Sequence, residues 1–433
     1  MINIGNVALN LSFDVFVGGG GVAGVCAAVA AARGGARTLL VERNGFLGGA
    51  ATAGAVNQFI GWKTAGGRQI VAGIAQEIID RLKAKGGGTD IEWWHMSTGL
   101  RMDRIEFDPE VLKVVLDEFV LDAGVTPLFN SWLFDVERQG RVITKVRLLS
   151  KSGEIEVTPR VVIDTSGDLD LLDKSGCEML ALEPGEELQP ATLSLRMGPI
   201  DFQAYNAISP LEKAEIARRG VAEGGLARLA VHCNQVPGTN EGWFNVTRIV
   251  VDGTDAFALS RAEVEGRRQA LAAAKFLCEN LPGCEKARLT GLAPSIGIRE
   301  TRRIRGAVVV TEADLRSGRR FSDTVACGAY PIDVHQAGGA GIRLERVGEG
   351  DHSYTLPLRA LIPVALDNAL VAGRGVSATH VAFSALRVMP VSMAMGQAAG
   401  VAAANAIRRN AAISDLPFDS IERDLLRGGA ILR

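Results

Sequence analysis

The sequence predicts an α/β protein, with a Rossmann-like dinucleotide-binding domain that is discontinuous along the chain and an inserted α+β cap region. Three observations carry that expectation. A strand, a glycine turn, a helix and a second strand ending in an acid occupy residues 14–42. A proline-rich stretch of different character runs from about 180 to 350. After residue 369 an apolar strand and a helix of small residues return the chain to the style of the first unit.

At 433 residues the chain is about three times the roughly 150-residue prior for one domain. That leaves room for a large nucleotide-binding core with an inserted lobe. Hydrophobic residues at 47% and charged residues at 22% exclude a disordered chain. Forty-seven basic against 49 acidic residues give a net charge of −2, too balanced for a nucleic-acid or anionic-membrane surface. Glycine is the anomaly, with 51 residues where average usage gives roughly 30. Six scattered cysteines without a CxxC pair argue against a zinc ribbon, an iron–sulfur cluster or a disulfide framework, and predict reduced thiols and no metal site. The opening MINIGNVALNLSFDV lacks a basic leader region. The longest apolar stretch, near Val22–Ala32, is far short of the roughly twenty residues that span a bilayer. A cytoplasmic protein is expected.

Asp14–Val17 reads as a buried strand, followed at once by Gly18-Gly19-Gly20-Gly21-Val22-Ala23-Gly24. Gly19, Gly21 and Gly24 satisfy GxGxxG: the first for a tight turn, the second for close approach of a pyrophosphate, the third for helix–strand packing. The helix from Val22 to about Arg33 would offer its N-terminal N–H groups at Val22 and Ala23 to the phosphates. A strand over Thr38–Val41 then ends at Glu42, placed to hold ribose hydroxyls, with Arg43 beside it. A second glycine pair, Gly48-Gly49 before Ala50, suits an extended cofactor and favours FAD over the runner-up, NAD.

Asp108 and Pro109 begin a helix through about Ala123 with an apolar face at Leu112, Val115, Leu116 and Phe119. Val125–Phe129 is a third parallel strand, and stretches near 133–137, 145–149 and 154–157 read as a β-meander. Val161–Asp164 is a further strand leading into the turn Thr165-Ser166-Gly167. In the inserted region a helix is expected from Arg261 to Glu279, and strands at 192–197, 243–251 and 308–311. Gly338–Gly341 is only a loop, so no second nucleotide fold is visible. Ala369–Ala372 is a strand closed by Gly373-Arg374, and Pro390 opens a helix with Gly396 and Gly400 spaced as GxxxG.

Together the segments DVFVGGGGVAGVCAAVAAARGG, VERNGFLGGAATAG, VVIDTSGDLDLL, GIRETRR, PIDVH and LVAGRGVSATHVAFSALRVMP resemble the FAD-dependent oxidoreductase family with a GR2-type, glutathione-reductase-like flavin fold. The resemblance covers nearly the whole chain and is weakest between about 180 and 290. It implies a three-layer ββα FAD-binding domain built from 1–60, 105–180 and 355–412, a substrate cap from 61–104 and 181–354, and a tail at 413–433. It also implies tightly held FAD and redox turnover, with contacts at the residues named above and at Gly373, Arg374 and Met389. Single-component aromatic hydroxylases carry DGxxSxxR and a later Gly-Asp pair; here the corresponding stretches are Thr165-Ser166-Gly167-Asp168 and Gly373-Arg374.

The expected reaction is hydride transfer from a small organic substrate to flavin N5, with an unidentified electron acceptor. The alternatives are a flavin-dependent monooxygenase served by a separate reductase, and a non-catalytic FAD-binding or sensory protein. Histidine suits the base role. His335, in the PIDVH segment, and His380, between the Gly373 turn and the Pro390 helix, are the candidates, with His95 behind them. Arg387 and Arg299 are candidate anchors for a substrate carboxylate or for flavin carbonyls. The competing readings are structural hydrogen-bonding histidines and an ion-pair network around Arg299, Glu300, Arg302 and Arg303. Homo-oligomerisation is left open.

Overall fold

The computed structural model describes residues 9–95 and 100–433. The first eight residues, which bear on the leader reading, lie outside the described residues, as do 96–99 and the His95 side chain.

Seven strands form the main sheet. Thr126–Leu128, Thr38–Val41, Leu9–Gly18 and Gly153–Asp164 lie side by side in that order, all parallel. Val142–Ser150 and Trp132–Gln139 extend it as antiparallel neighbours, and Ala369–Val371 adds in parallel. The stretches at 154–157 and 161–164, separate strands in the sequence reading, are one strand of twelve residues. Its first half pairs with Val142–Ser150 up to Val157, and its second half pairs with Ala369–Val371 from Val162. Pro159 falls between the two partners, where that edge of the strand has no ladder to interrupt.

The helix Val22–Arg33 forms where expected and is buried from Val22 through Ala31. Burial on all sides explains why small residues occupy every face instead of an apolar stripe. One side meets the sheet and the other meets the helix Met389–Arg409. A Cβ on Gly396 would stand 2.1 Å from the Ala23 carbonyl oxygen, and one on Gly400 would stand 2.2 Å from that of Ala27. The GxxxG spacing therefore serves helix packing. The helix Pro109–Asp122 starts as expected, the Asp108 carboxylate accepting from Glu110 N at 2.8 Å with Pro109 following.

The inserted region has its own four-stranded antiparallel sheet, in the order Cys233–Gln235, Gly242–Phe244, Leu195–Gly198, Arg288–Leu292. The helix Ala256–Asn280 backs it, and Leu195, Met197, Phe244, Phe276 and Leu277 form a separate core. The strands at 192–197 and 243–251 are shorter than expected. Thr247 Oγ accepts from Leu193 N at 2.8 Å and donates to Leu193 O at 3.0 Å, so a side chain takes the backbone groups a ladder would have used. No strand forms at 308–311; Thr311 instead caps the short helix Glu312–Arg316. Gly338–Gly341 is the loop of a hairpin between Ile332–His335 and Ile342–Glu345.

Packing does not follow the expected extents of the cap. Ile74, Ile78, Ile79 and Leu82 of the helix Ile74–Ala84, and Val325, Tyr354 and Leu356 of the hairpin Thr324–Gly328 and Tyr354–Pro357, bury their apolar faces in the main core. Gln58–Ile60, Arg101–Glu106 and Glu92–His95 form a small antiparallel sheet that the sequence reading lacks. Among the described residues no helix is long and apolar enough to cross a membrane.

Gly400→Val forces a side chain against the Ala27 carbonyl and is expected to destabilise by about 1–3 kcal/mol, the usual range for overpacking. The thermal unfolding midpoint of the purified variant checks this; an unchanged midpoint would show that the two helices have room to separate.

Candidate functional site

A cavity of about 570 Å³ opens at the carboxyl ends of the parallel strands, within the usual range for cofactor and ligand sites. Gly19, Glu42, Thr165 and Ala372 each directly follow a strand end, at Gly18, Val41, Asp164 and Val371, and all four line it. Open α/β sheets bind ligands at this place.

At one end the lining is backbone. Gly19 has φ +113°, and a Cβ there would stand 2.5 Å from Thr165 O. Gly21 opens onto the cavity, and a Cβ on it would have only Gly49 Cα within 4 Å, at 3.9 Å. Neither a side-chain cap nor an acid occupies the first turn of the helix that starts at Val22. The Glu42 carboxylate accepts from Gly20 N at 2.7 Å and from Asn44 N and Nδ2, both at 2.8 Å. Buried Asp164 accepts from Ser166 N and Oγ and from Leu171 and Leu172 N, which fixes the Thr165–Gly167 turn. Burial raises the Asp164 carboxyl to about 6 against those hydrogen bonds. Arg374 Nη2 donates to Asp168 Oδ1 at 2.9 Å, and Arg374 Nη1 is buried without a partner among the described residues.

At the other end the lining is charged. Arg387, at the C-cap of the helix His380–Leu386, donates from Nη2 to Asp333 Oδ2 at 3.2 Å. His335 Nε2 lies 3.4 Å from Asp333 Oδ1. Arg299 donates to Pro190 O and, at 2.8 Å, to Thr192 Oγ, and Arg228 donates to Asn245 Oδ1 at 3.0 Å. All five residues line the cavity. Burial alone would raise the Asp333 carboxyl, but His335, Arg387 and Arg228 outweigh it and hold it well below the usual carboxylate range. Burial, with the Arg299 and Arg228 charges, pushes His335 well below its ordinary value despite Asp333.

Residues 14–425 match the family described as FAD dependent oxidoreductase. The chain belongs to the FAD-dependent oxidoreductase family. It is therefore an oxidoreductase whose cofactor is FAD. No curated protein matches it. Among solved structures it is similar to p-nitrophenol 4-monooxygenase of Pseudomonas putida, at 11% identity over 97% of this chain and 85% of that one, with a TM-score of 0.52. It is also similar to a geranylgeranyl bacteriochlorophyll reductase-like protein of Thermoplasma acidophilum, at 13% identity over 97% and 83%, with a TM-score of 0.49. At 11% identity the likeness to the monooxygenase is one of fold.

The residues present fit the FAD of this family. The bare backbone at Gly19, Gly21 and Gly49 and the uncapped helix end at Val22–Ala23 suit a pyrophosphate. The partnerless Arg374 Nη1 adds a cationic donor. Glu42 keeps one of its roughly four lone-pair sites for a ribose hydroxyl. Arg43, Ala50, Thr165, Ser166, Gly167, Gly373 and Met389 also line the cavity. Gly24 and Gly48 do not. A Cβ on Gly24 would stand 1.9 Å from Gly19 O, and Gly48, with φ +111°, donates its N–H to Gly20 O. These two shape the site without reaching it.

Of the expected catalytic set, Arg299, Arg387 and His335 come together at the cavity and His380 does not. His380 is buried, with Nδ1 2.9 Å from Glu300 Oε1. Glu300 also pairs with Arg303 at 3.3 Å, whereas Arg302 pairs with Asp173 at 3.1 Å and Arg299 with no carboxylate among the described residues, so the expected single network does not form. Tyr354 is buried with its hydroxyl directed at the Tyr330 and Ala385 carbonyls. Sequence reasoning missed Asp333, Arg228, and the stacked pair Trp94 and His232, whose rings are 4.5 Å apart. Asp333 had a signal, two residues before His335 on the same strand face. Arg228, in a segment without periodicity, had none. Among the described residues no His, Cys, Asp and Glu cluster could hold a metal.

The two glycines separate packing from binding. Gly21→Val is expected to leave the FAD-free thermal midpoint within a few degrees of wild type while lowering FAD affinity at least about tenfold. Gly24→Ala is expected to lower the midpoint itself. Flavin absorbance per protein and thermal melts of both variants decide it; a Gly21→Val protein that purifies fully yellow would refute the assignment.

Proposed function

We propose that the protein is a flavin dehydrogenase or oxidase in which His335 removes a proton from a small organic substrate as a hydride leaves the adjacent carbon. The observation that carries this is His335 Nε2 lying 3.4 Å from Asp333 Oδ1 at the end of the cavity away from the nucleotide cradle. Bound FAD would supply the two-electron acceptor for the substrate C–H bond, its electrons passing on to oxygen, a quinone or a protein carrier. The chain's own part is proton transfer and orientation. Asp333 Oδ1, 3.4 Å from His335 Nε2 and without a hydrogen-bond partner among the described residues, would stabilise the imidazolium formed when Nδ1 takes the proton of a substrate O–H or N–H. Arg387 keeps Asp333 ionised and fixes its orientation. The division into an FAD-binding unit and a substrate cap belongs to the same reading: the cap sheet and its flanking loops bring Arg228 and Arg299 over the strand ends.

The first test is anaerobic mixing of the yellow protein with alcohols, amines and hydroxy acids, and separately with NADH and NADPH. Bleaching by a substrate and by neither nicotinamide supports the proposal. Rapid bleaching by a nicotinamide would favour a monooxygenase or reductase, and no bleaching by anything would favour a non-catalytic flavoprotein.

Two predictions concern His335. His335→Gln is expected to lower the rate of flavin reduction about 10²–10⁴-fold with FAD retained, the usual worth of a general base. Because its imidazole is held below its ordinary value, the rate of the native enzyme should stay level as pH falls through 6.5 and drop only at lower pH, where the base takes up its proton. An acid limb centred at or above 6.5 in the native enzyme would sink the assignment.

A further inference from the structure

The arginines at the charged end of the cavity are bonded differently from a structural arginine of the same protein. Arg303 uses all three of its nitrogens: Nη1 on Ala378 O at 2.7 Å, Nη2 on Ala181 O at 3.3 Å, and Nε against Glu300 at 3.3 Å. Arg228 donates only from Nη1, to the Asn245 carbonyl and side-chain oxygens. Among the described residues Arg299 also donates only from Nη1, and Arg387 only from Nη2. The Nε atoms of Arg228 and Arg387 are buried with no acceptor among the described residues. Asp333 is the one carboxylate among the described residues that forms an ion pair with any of the three.

At this end of the cavity Arg228, Arg299 and Arg387 thus share one paired counter-charge, Asp333. Burial, and after it the charges of Arg228 and Arg387, push Arg299 below the ordinary guanidinium value. All three are half-buried, and a partly desolvated cation without its partner is destabilising. Paired forks of unused N–H donors are the geometry that planar carboxylates fill bidentately. We propose that Arg228, Arg299 and Arg387 bind the substrate through two carboxylates, which makes the substrate a small dicarboxylic acid carrying the oxidisable C–H bond. This rests on the dehydrogenase reading above and names its substrate class. Two carboxylates match the two uncompensated charges.

The test uses the FAD-loaded protein and the probes malonate, succinate and glutarate, the monoamide of each, and inorganic phosphate. The readouts are the visible flavin spectrum and the thermal midpoint. At least one diacid is expected to perturb both saturably, at least about tenfold more tightly than its own monoamide and than phosphate. Arg228→Gln and Arg299→Gln should each weaken that diacid at least about tenfold with FAD content unchanged. Arg228→Lys, which keeps the charge and removes the fork, should recover part of the loss and serves as the deciding variant if Arg228→Gln does not hold FAD. Equal binding of diacid and monoamide, tighter binding of phosphate, or no saturation by any diacid overturns the proposal. A diacid that binds as expected, while its hydroxy and amino derivatives never bleach the flavin anaerobically, removes the dehydrogenase reading and leaves the dianion site standing. Bleaching by a neutral alcohol with no diacid binding does the reverse.

Discussion

The molecule depends on how closely the backbone of the helix Val22–Arg33 can be approached. At its N-terminal end the Gly19 carbonyl leaves no room for a Cβ on Gly24, and along its far side the Ala23 and Ala27 carbonyls leave none on Gly396 and Gly400. Side chains at those points would push apart the sheet, the helix and the C-terminal helix together. The contact also brings together segments more than three hundred residues apart. Cradle residues at 19–23 and lining residues at 372–392 share one cavity because residues 389–409 lie against residues 22–33. The glycine excess is therefore tied to closure of the site as well as to turns.

A second constraint lies behind the charged end of the cavity. Glu300, almost fully buried, meets His380 Nδ1 at 2.9 Å and Arg303 at 3.3 Å, and accepts from Gln189 Nε2 at 3.3 Å. Once the Gln189 amide donates to Glu300, its oxygen must face the other way. That oxygen accepts from His335 N at 3.3 Å and Arg387 Nη2 at 3.4 Å. One buried acid thereby orients an amide that in turn holds two residues of the cavity. His380 belongs to this support, three hydrogen bonds removed from the cavity lining.

The βαβ unit, its acid, and the C-terminal return are legible in the sequence because each is a local pattern: glycine spacing, a run of small residues, a capped helix start at Asp108. The cap sheet is not, since Thr247 side-chain bonding and short bridges replace the ladders that its β-branched runs suggest. His380 shows where legibility stops at the site itself. It lies seven residues before Arg387, on the same face of one short helix. Two turns place it about 10 Å back along the axis, enough to move it from the cavity to Glu300. Arg228 was unreadable for the opposite reason: only the folded chain brings its loop to the strand ends.

The turn at Gly373-Arg374 shows how a shared fold permits a different site. Aromatic hydroxylases with this fold are expected to place an acid after that glycine; here the position holds an arginine, and the nearby acid is Asp168, after Gly167. The two find each other at 2.9 Å, and Thr301 Oγ and Arg43 also approach Asp168, at 2.9 and 4.0 Å. Asp168 is thus neutralised within the protein, while Arg374 retains a buried donor without a partner at the cavity. The sign of the charge offered to a ligand there is set by one side chain and not by the strand order. Similarity of fold therefore carries the cofactor's place but not the polarity of what lies around it.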